Sequence, residues 1–328
     1  MSKYAYVAYR VTVSKSGQPD DPLDVGNFDG KGADLVAYFH GFLRCIGEEF
    51  IRRQKYDQYL AVPELVPRGR RVEFVTEYGR YGLQGTLVDT ISGEKTHSYD
   101  EDESPVVETR NMFVSPAEGR WAIFLAERYG GRGAASLILS EFKRAFRQCF
   151  ENEELIVKYD GLLDPAAWAE YVEKADMTEM QVKRFGPSPD FADPVAAKSV
   201  GRVVSRVRPM RGQKGFGRAF RDKIISREIR AQDIIGIPVI DGDEVELKLN
   251  DGEQQRSVIL GEEANPVLAY FLVGDKEERP SDGAVYAAMR KKVIDAKANL
   301  GLTLPQQWKD GTWDDSLLSV KLEPIRDS

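Results

Sequence analysis

The chain has 328 residues, of which 46 are Lys or Arg and 53 are Asp or Glu, giving a net charge of −7. Its hydrophobic content of 42% is enough to bury a core and excludes a disordered chain, and its two cysteines exclude a disulfide scaffold. The length favours two domains at roughly 100–200 residues each. The first residues lack the apolar run of a secretory signal, and no apolar run is as long as a membrane-spanning helix, so we expect a soluble cytoplasmic protein.

Strand and helix patterns alternate in the first third of the chain. Residues 4–13 place apolar side chains at every second position, which predicts a strand, and a Gly- and Asp-rich loop follows. Residues 33–53 place apolar side chains at helical spacing and predict an amphipathic helix with His40 at the edge of its apolar stripe. Further strands are predicted at 71–78, 81–90, 95–99 and 106–114, with the first two paired around Gly79 and Arg80.

From residue 120 the predicted elements follow a β-α-β-α-β order. Strands at 121–127, 155–159 and 180–185 alternate with helices at 134–151 and 165–175, the only α/β rhythm in the chain. Cys45 and Cys149 both fall in predicted helices. Because Cys149 lies on an apolar stripe, we expect it to be a buried free thiol.

A Pro-rich stretch marks the predicted domain boundary. Residues 186–197 hold three Pro and two Asp, which is typical of a linker. Beyond it lie a basic strand at 199–208, a meander at 235–240, 245–249, 256–260 and 267–273, a helix at 281–300 and a strand at 316–322. Ser281 is the predicted N-cap of that helix and Gly301 follows its C-terminus.

The sequence therefore predicts an α+β fold in two domains. A mixed-sheet domain with the β-α-β-α-β stretch occupies residues 1–188, and a linker occupies 189–197. A smaller antiparallel meander domain packed on a helix occupies 198–328.

Residues 198–230, called the basic segment below, carry the strongest electrostatic anomaly. They hold eleven Lys and Arg against two acidic residues, a charge of +9, whereas the other residues hold 35 against 51, a charge of −16. Solubility does not require such a block, because the acidic surface already supplies it. Closely spaced cations suit phosphate neutralisation, so nucleic acid is the predicted ligand.

The basic segment combines a predicted strand, a Gly-rich loop and a helix start. Arg202, Arg206 and Arg208 share one parity and would project from one face of the strand. The loop at 209–217 and the helix N-terminus can offer backbone N–H groups to an anion. Phe216 and Phe220 could stack on bases, although their helical spacing favours a core role. The predicted nucleic-acid-binding residues are Arg202, Arg206, Arg208, Arg211, Lys214, Arg218 and Arg221.

Two other interpretations of the basic segment stay open. It could be an exposed face that pairs with the acidic residues at 241–246, since charge blocks are often solvated or self-paired. It could also dock an acidic partner protein. Nucleic acid is favoured over both because of the number and spacing of the cations.

An enzyme is the alternative class. Asp241, Glu246 and Lys248 are the residue types of a metal-dependent nuclease, in which carboxylates hold the cation and Lys stabilises the transition state. However, Glu246 and Lys248 alternate with apolar residues, as on the solvated face of an antiparallel strand. We therefore expect this face to be wet and disfavour the nuclease.

Other motifs do not predict a cofactor or a metal site. His40 and His97 are the only histidines, and no zinc spacing or nucleophile motif is present. The Gly-rich stretch at 130–133 lacks a Walker or dinucleotide pattern, so it is predicted to be a tight turn between strand and helix. The favoured function is non-catalytic nucleic-acid binding as an accessory subunit, with DNA and RNA both open. No residue argues for a phage-defence role.

Overall fold

The computed structural model describes residues 4–130, 132–162, 173, 175–184, 203–213, 215–226, 228, 244–250, 255–260, 267–272 and 278–326. The fold is α+β, with antiparallel sheets and a few helices. Two compact units are present: unit 1 is Met1–Tyr81, Ser104–Asp160 and Tyr270–Ser328, and unit 2 is Gly82–Glu103 and Gly161–Ala269. The linker predicted at 189–197 lies outside the described residues, and a domain division there stays a prediction.

The strands, in chain order, are β1 (Tyr4–Lys15), β2 (Gln18–Pro22), β3 (Ile51–Arg53), β4 (Gln58–Arg68), β5 (Arg71–Arg80), β6 (Gly85–Val88), β7 (Lys95–Tyr99), β8 (Val106–Val114), β9 (Ala122–Tyr129), β10 (Leu155–Gly161), β11 (Asp176–Arg184), β12 (Val203–Val207), β13 (Glu244–Asn250), β14 (Gln255–Leu260) and β15 (Val267–Phe271). In unit 1 the order is β1-β9-β8-β5-β4-β3, and β2 and β10 also pair with β1. In unit 2 the order is β12-β11-β13-β14-β15, and β6 and β7 form a separate hairpin. The predicted meander is confirmed in β13, β14 and β15, which pair antiparallel in sequence order.

The helices are α1 (Leu35–Glu48), α2 (Ala135–Cys149), α3 (Arg218–Ile225), α4 (Asp282–Asn299) and α5 (Asp315–Ser319). The caps predicted for α4 are confirmed, since the Ser281 side chain accepts a hydrogen bond from the Ala284 N–H and Gly301 has a φ of +71°. This helix packs on β8 and β9, and Lys292 lies over the Tyr270 ring of β15. Among the described helices, none is long and apolar enough to cross a membrane.

The core of unit 1 is a cluster of phenylalanines between the sheet and helices α1 and α2. Phe39 of α1 stacks on Phe113 of β8 with ring centroids 4.1 Å apart, and it meets Phe142 of α2 edge-on at 4.9 Å. Phe74 and Phe124 complete the cluster from β5 and β9. All five are buried, and aromatic pairs of this geometry add about 0.5–1.5 kcal/mol each beyond their burial.

The predicted pairing of 71–78 with 81–90 is wrong. Strand β5 pairs with β4 on one side and β8 on the other, whereas β6 pairs with β7. The sequence does not predict β4, because this strand contains Pro63 and Pro67, and proline argues against a strand. The register between β4 and β5 shifts between Ala61 and Glu64, and this irregularity accommodates Pro63.

The β-α-β-α-β rhythm does not bring β9 into a parallel pair. Strand β9 is antiparallel to both of its neighbours, β1 and β8. Two hydrogen bonds join the backbones of Tyr129 and Arg132, as expected for the predicted tight turn. The predicted helix at 165–175, linker at 186–197 and strand at 235–240 lie wholly or almost wholly outside the described residues.

Three local predictions are corrected. The helix predicted at 33–53 ends at Glu48, and the chain re-enters the sheet as β3. The strand predicted at 316–322 is wrong, because Asp314 caps the short helix α5 by accepting the Leu317 N–H at 3.0 Å. Cys149 is exposed at the end of α2 rather than buried, whereas Cys45 is buried.

The end of α5 and the residues after it bind along α1. The carbonyls of Leu318 and Val320 accept hydrogen bonds from the Arg44 guanidinium, at 2.5 and 3.2 Å respectively. A Cβ placed on Gly41 would lie 2.4 Å from the Val320 oxygen, so only glycine permits this approach. Further along, Arg326 donates to the Phe50 carbonyl at 3.0 Å.

Candidate nucleic-acid interface

Strand β12 and the turn after it supply the exposed arginines of the candidate interface. It stands at one end of the strand order of unit 2, where it pairs antiparallel with β11, and Arg206 lies opposite Gln181. Arg206, Arg208 and Arg211 are all exposed. Among the residues that the structure describes, no ion-pair partner meets the guanidinium groups of Arg206 and Arg211. The predicted helix at this point is confirmed as α3, which begins at Arg218.

Arg208 differs from the other two because a buried carboxylate holds it. Its Nε donates to Glu179 Oε2 at 2.6 Å, while its side chain stays 64% exposed. Glu179 lies on β11 and is only 4% exposed. The other oxygen, Oε1, accepts from Lys248 Nζ at 2.5 Å and also from the Gln181 side-chain amide.

These donors keep Glu179 ionised. Burial alone would raise the pKa of Glu179, but hydrogen bonds from Lys248, Arg208 and Gln181 outweigh it and lower that pKa to about 2. A carboxylate with this pKa carries a full negative charge at neutral pH. Arg208 therefore faces a permanent anion on its inner side.

The prediction that Glu246 and Lys248 lie on a solvated face is wrong. The two residues are only 8% and 3% exposed, and the apolar residues of β13 are buried as well. Across to β11, Glu246 pairs with Gln181 and Lys248 pairs with Glu179. One side of the sheet therefore carries buried charged residues, and the alternation in β13 separates a charged from an apolar buried face.

Sequence reasoning missed Glu179 and Gln181. Residues 179–183 alternate polar and apolar in the same way as residues 244–248, and this was the available signal. The register that sets Glu179 against Lys248 follows an irregularity between Met177 and Glu179, which the alternation does not reveal.

The Gly-rich loop is fixed to the beginning of β11. The Phe216 N–H donates to the Met177 carbonyl at 2.8 Å, and a Cβ on Gly215 would lie 2.9 Å from the Asp176 Cβ. Glycine at 215 thus permits the close approach. Phe216 and Phe220 are half-buried and stack on each other with centroids 5.4 Å apart, so they are only partly core residues.

Several predicted site residues lie outside the described residues. These are Arg202, Lys214 and Asp241, together with the side chains of Arg218 and Arg221. Within the described chain, no group of three or more His, Cys, Asp or Glu could hold a metal ion. His97 is exposed, whereas His40 is buried, and burial followed by the charge of Arg44 lowers the pKa of His40 to about 4.

A comparison with protein-family models, curated proteins and solved structures finds no match to this chain. The function is therefore inferred from the geometry and charge of the residues themselves.

Proposed function

We propose that this protein binds nucleic acid through the basic segment, without catalysis, as a cytoplasmic accessory subunit. The observation that supports this proposal is the exposure of Arg206, Arg208 and Arg211 at one end of β12 and in the turn after it. Phosphate contacts need cations with donor groups that reach solvent and are left free by internal ion pairs. Arg206 and Arg211 meet this requirement among the described contacts.

The self-paired interpretation accounts for one of these three arginines. Arg208 has an internal carboxylate partner, but Glu179 also binds Lys248, so Arg208 is not the only cation that compensates this carboxylate. Of the acidic residues at 241–246 proposed as partners, Asp241, Asp243 and the Glu244 side chain lie outside the described residues, and Glu246 is buried. The surplus of positive charge in the basic segment therefore remains the main argument for a polyanionic ligand.

The test is the affinity of the purified chain for a short fluorescein-labelled oligonucleotide, as single strand and as duplex, over a range of salt. The variant Arg206→Gln, Arg211→Gln, Lys214→Gln removes three cations and leaves the Glu179 partner Arg208 in place. We expect the wild type to bind with a steep salt dependence, about −0.9 in log–log slope per duplex phosphate contacted. The variant should lose most of the affinity and lower the magnitude of that slope.

A charge-matched control separates a site from a general effect of net charge. Lys15, Lys31 and Lys95 are exposed and lie outside the basic segment. Their triple substitution by Gln should leave binding within about twofold, since charges outside the proposed contact region neutralise no phosphate. Equal losses in both variants, or a wild type that does not bind at low salt, would refute the proposal.

A second candidate, the metal-dependent nuclease, gains one observation. Glu246 and Lys248 are buried on the same side of the sheet as Glu179, and buried charges of this kind are frequent in active sites. Incubation of labelled DNA and RNA with Mg²⁺ or Mn²⁺ tests it. Cleavage by the wild type that is lost in Glu246→Gln, with folding retained, would place this function first.

A further inference from the structure

We propose that Glu179, backed by Lys248, positions Arg208 to contact one phosphodiester of the bound nucleic acid through its two terminal nitrogens. This inference rests on the proposed function and assigns Arg208 a role that Arg206 and Arg211 do not share. Glu179 is a positioning residue in it.

Glu179 occupies only one edge of the Arg208 guanidinium, the edge at Nε. Arg208 Nε meets Glu179 Oε2 at 2.6 Å, and within the described contacts no protein partner is recorded for the two terminal nitrogens. The side chain is 64% exposed, so these nitrogens can reach solvent. Two parallel N–H donors at this edge match the spacing of two phosphate oxygens.

Lys248 prevents Glu179 from cancelling the charge of Arg208. A lone Glu–Arg pair would be neutral and would attract a phosphate weakly. Here Lys248 Nζ lies 2.5 Å from Glu179 Oε1 and shares the compensation of the carboxylate, so Arg208 is not its only counter-ion. Arg208 is thus oriented by an anion without losing its attraction for another anion.

Preorganisation is the expected benefit. A free arginine loses rotamer freedom when it binds a phosphate, whereas Arg208 is already held at Nε. Arg206 and Arg211 have no such anchor among the described residues, so each should lose rotamer freedom when it contacts a phosphate.

The test compares two conservative substitutions, Arg208→Lys and Arg206→Lys, by oligonucleotide binding at fixed salt. Both keep the charge, but lysine offers neither the Nε–H nor the paired terminal donors. We expect Arg208→Lys to weaken binding roughly tenfold, the loss of one charged hydrogen bond, and Arg206→Lys to weaken it less than threefold. Salt slopes should be equal in the two variants and the wild type.

A second variant tests the positioning without altering any arginine. Glu179→Gln combined with Lys248→Met removes one negative and one positive charge, so net charge is conserved and Glu179 is not left as a buried ion without Lys248. Binding should weaken several-fold, with unchanged salt slope, and the ¹⁵N resonance of Arg208 Nε should move to the position of a solvated arginine. Thermal unfolding confirms that the variant is folded.

The outcomes separate this inference from the proposed function. If the wild type binds and the two lysine variants are equally affected, positioning is wrong and general phosphate attraction stands. Unchanged affinity in the folded double variant also overturns it. If the wild type binds no oligonucleotide at low salt, both proposals fail.

Discussion

Removal of the buried cation Lys248 should destabilise unit 2 substantially. Lys248→Met deletes an ammonium that is 3% exposed and 2.5 Å from Glu179 Oε1, while methionine fills most of its volume. The fall in the pKa of Glu179 from its usual 4.5 to about 2 corresponds to about 3 kcal/mol, shared among three donors. Breaking one side of a buried ion pair costs about 3–5 kcal/mol, so we expect a loss of about 3 kcal/mol.

The assay is urea unfolding followed by far-UV circular dichroism, at neutral and acidic pH. Because the pKa of Glu179 is lowered in the folded state, its stabilising contribution is complete above about 4.5 and disappears as the pH falls through about 2. The difference between wild type and Lys248→Met should therefore shrink as the pH is lowered from 7 toward 2.

Two comparisons make this prediction falsifiable. Lys143→Met changes an exposed lysine of α2 and should alter the free energy of unfolding by less than about 0.5 kcal/mol. Adding Glu179→Gln to Lys248→Met should recover most of the loss, because no buried charge is then left without its partner. If Lys248→Met behaves like Lys143→Met, or the double variant is no more stable than the single one, the reasoning fails.

Three further predictions address the interface and the core. Arg206→Ala and Arg211→Ala should each reduce the magnitude of the duplex salt slope by about 0.9 without changing the melting temperature; an unchanged slope would contradict the assigned contacts. Gly215→Ala should detach the loop from β11 and accelerate hydrogen exchange of the Phe216 amide, whereas Gly217→Ala, with open space around its Cβ, should not. Because His40 binds its proton less readily when folded, with a pKa of about 4 against 6.5, stability should fall as the pH drops between these values, by up to about 3 kcal/mol. His40→Leu should flatten that part of the curve of unfolding free energy against pH, and a curve that stays equally steep would refute this origin.

Strong local patterns predicted elements well, but not their partners. The strand at 106–114 and the capped helix at 282–299 follow from alternation and from Ser281 and Gly301. Strand β4 could not be found, because its two prolines are tolerated only through an irregular register with β5. Pairing depends on which strands meet in space, and composition does not encode that directly.

The candidate site shows the same limit. The cation block was visible in the sequence, and exposure of Arg206 and Arg211 agrees with its predicted role. Burial of Glu246 and Lys248 was not visible, because alternation distinguishes two faces of a strand and not whether each face is covered. Only the pairing register between β11 and β13 places Glu179 next to Lys248, and the sequence does not reveal that register.

The discontinuity of unit 1 has a consequence for biosynthesis. Its stretches of chain are interrupted by the long contiguous stretch Gly161–Ala269, and the carbonyls that Arg44 of α1 binds belong to Leu318 and Val320. During translation, α1 is synthesised more than 270 residues before these partners. Part of the surface of α1 therefore stays uncovered in the nascent chain, while the strands of unit 2 can already pair. A premature stop soon after residue 269 would release a chain in which Arg44 of α1 lacks both of these carbonyls.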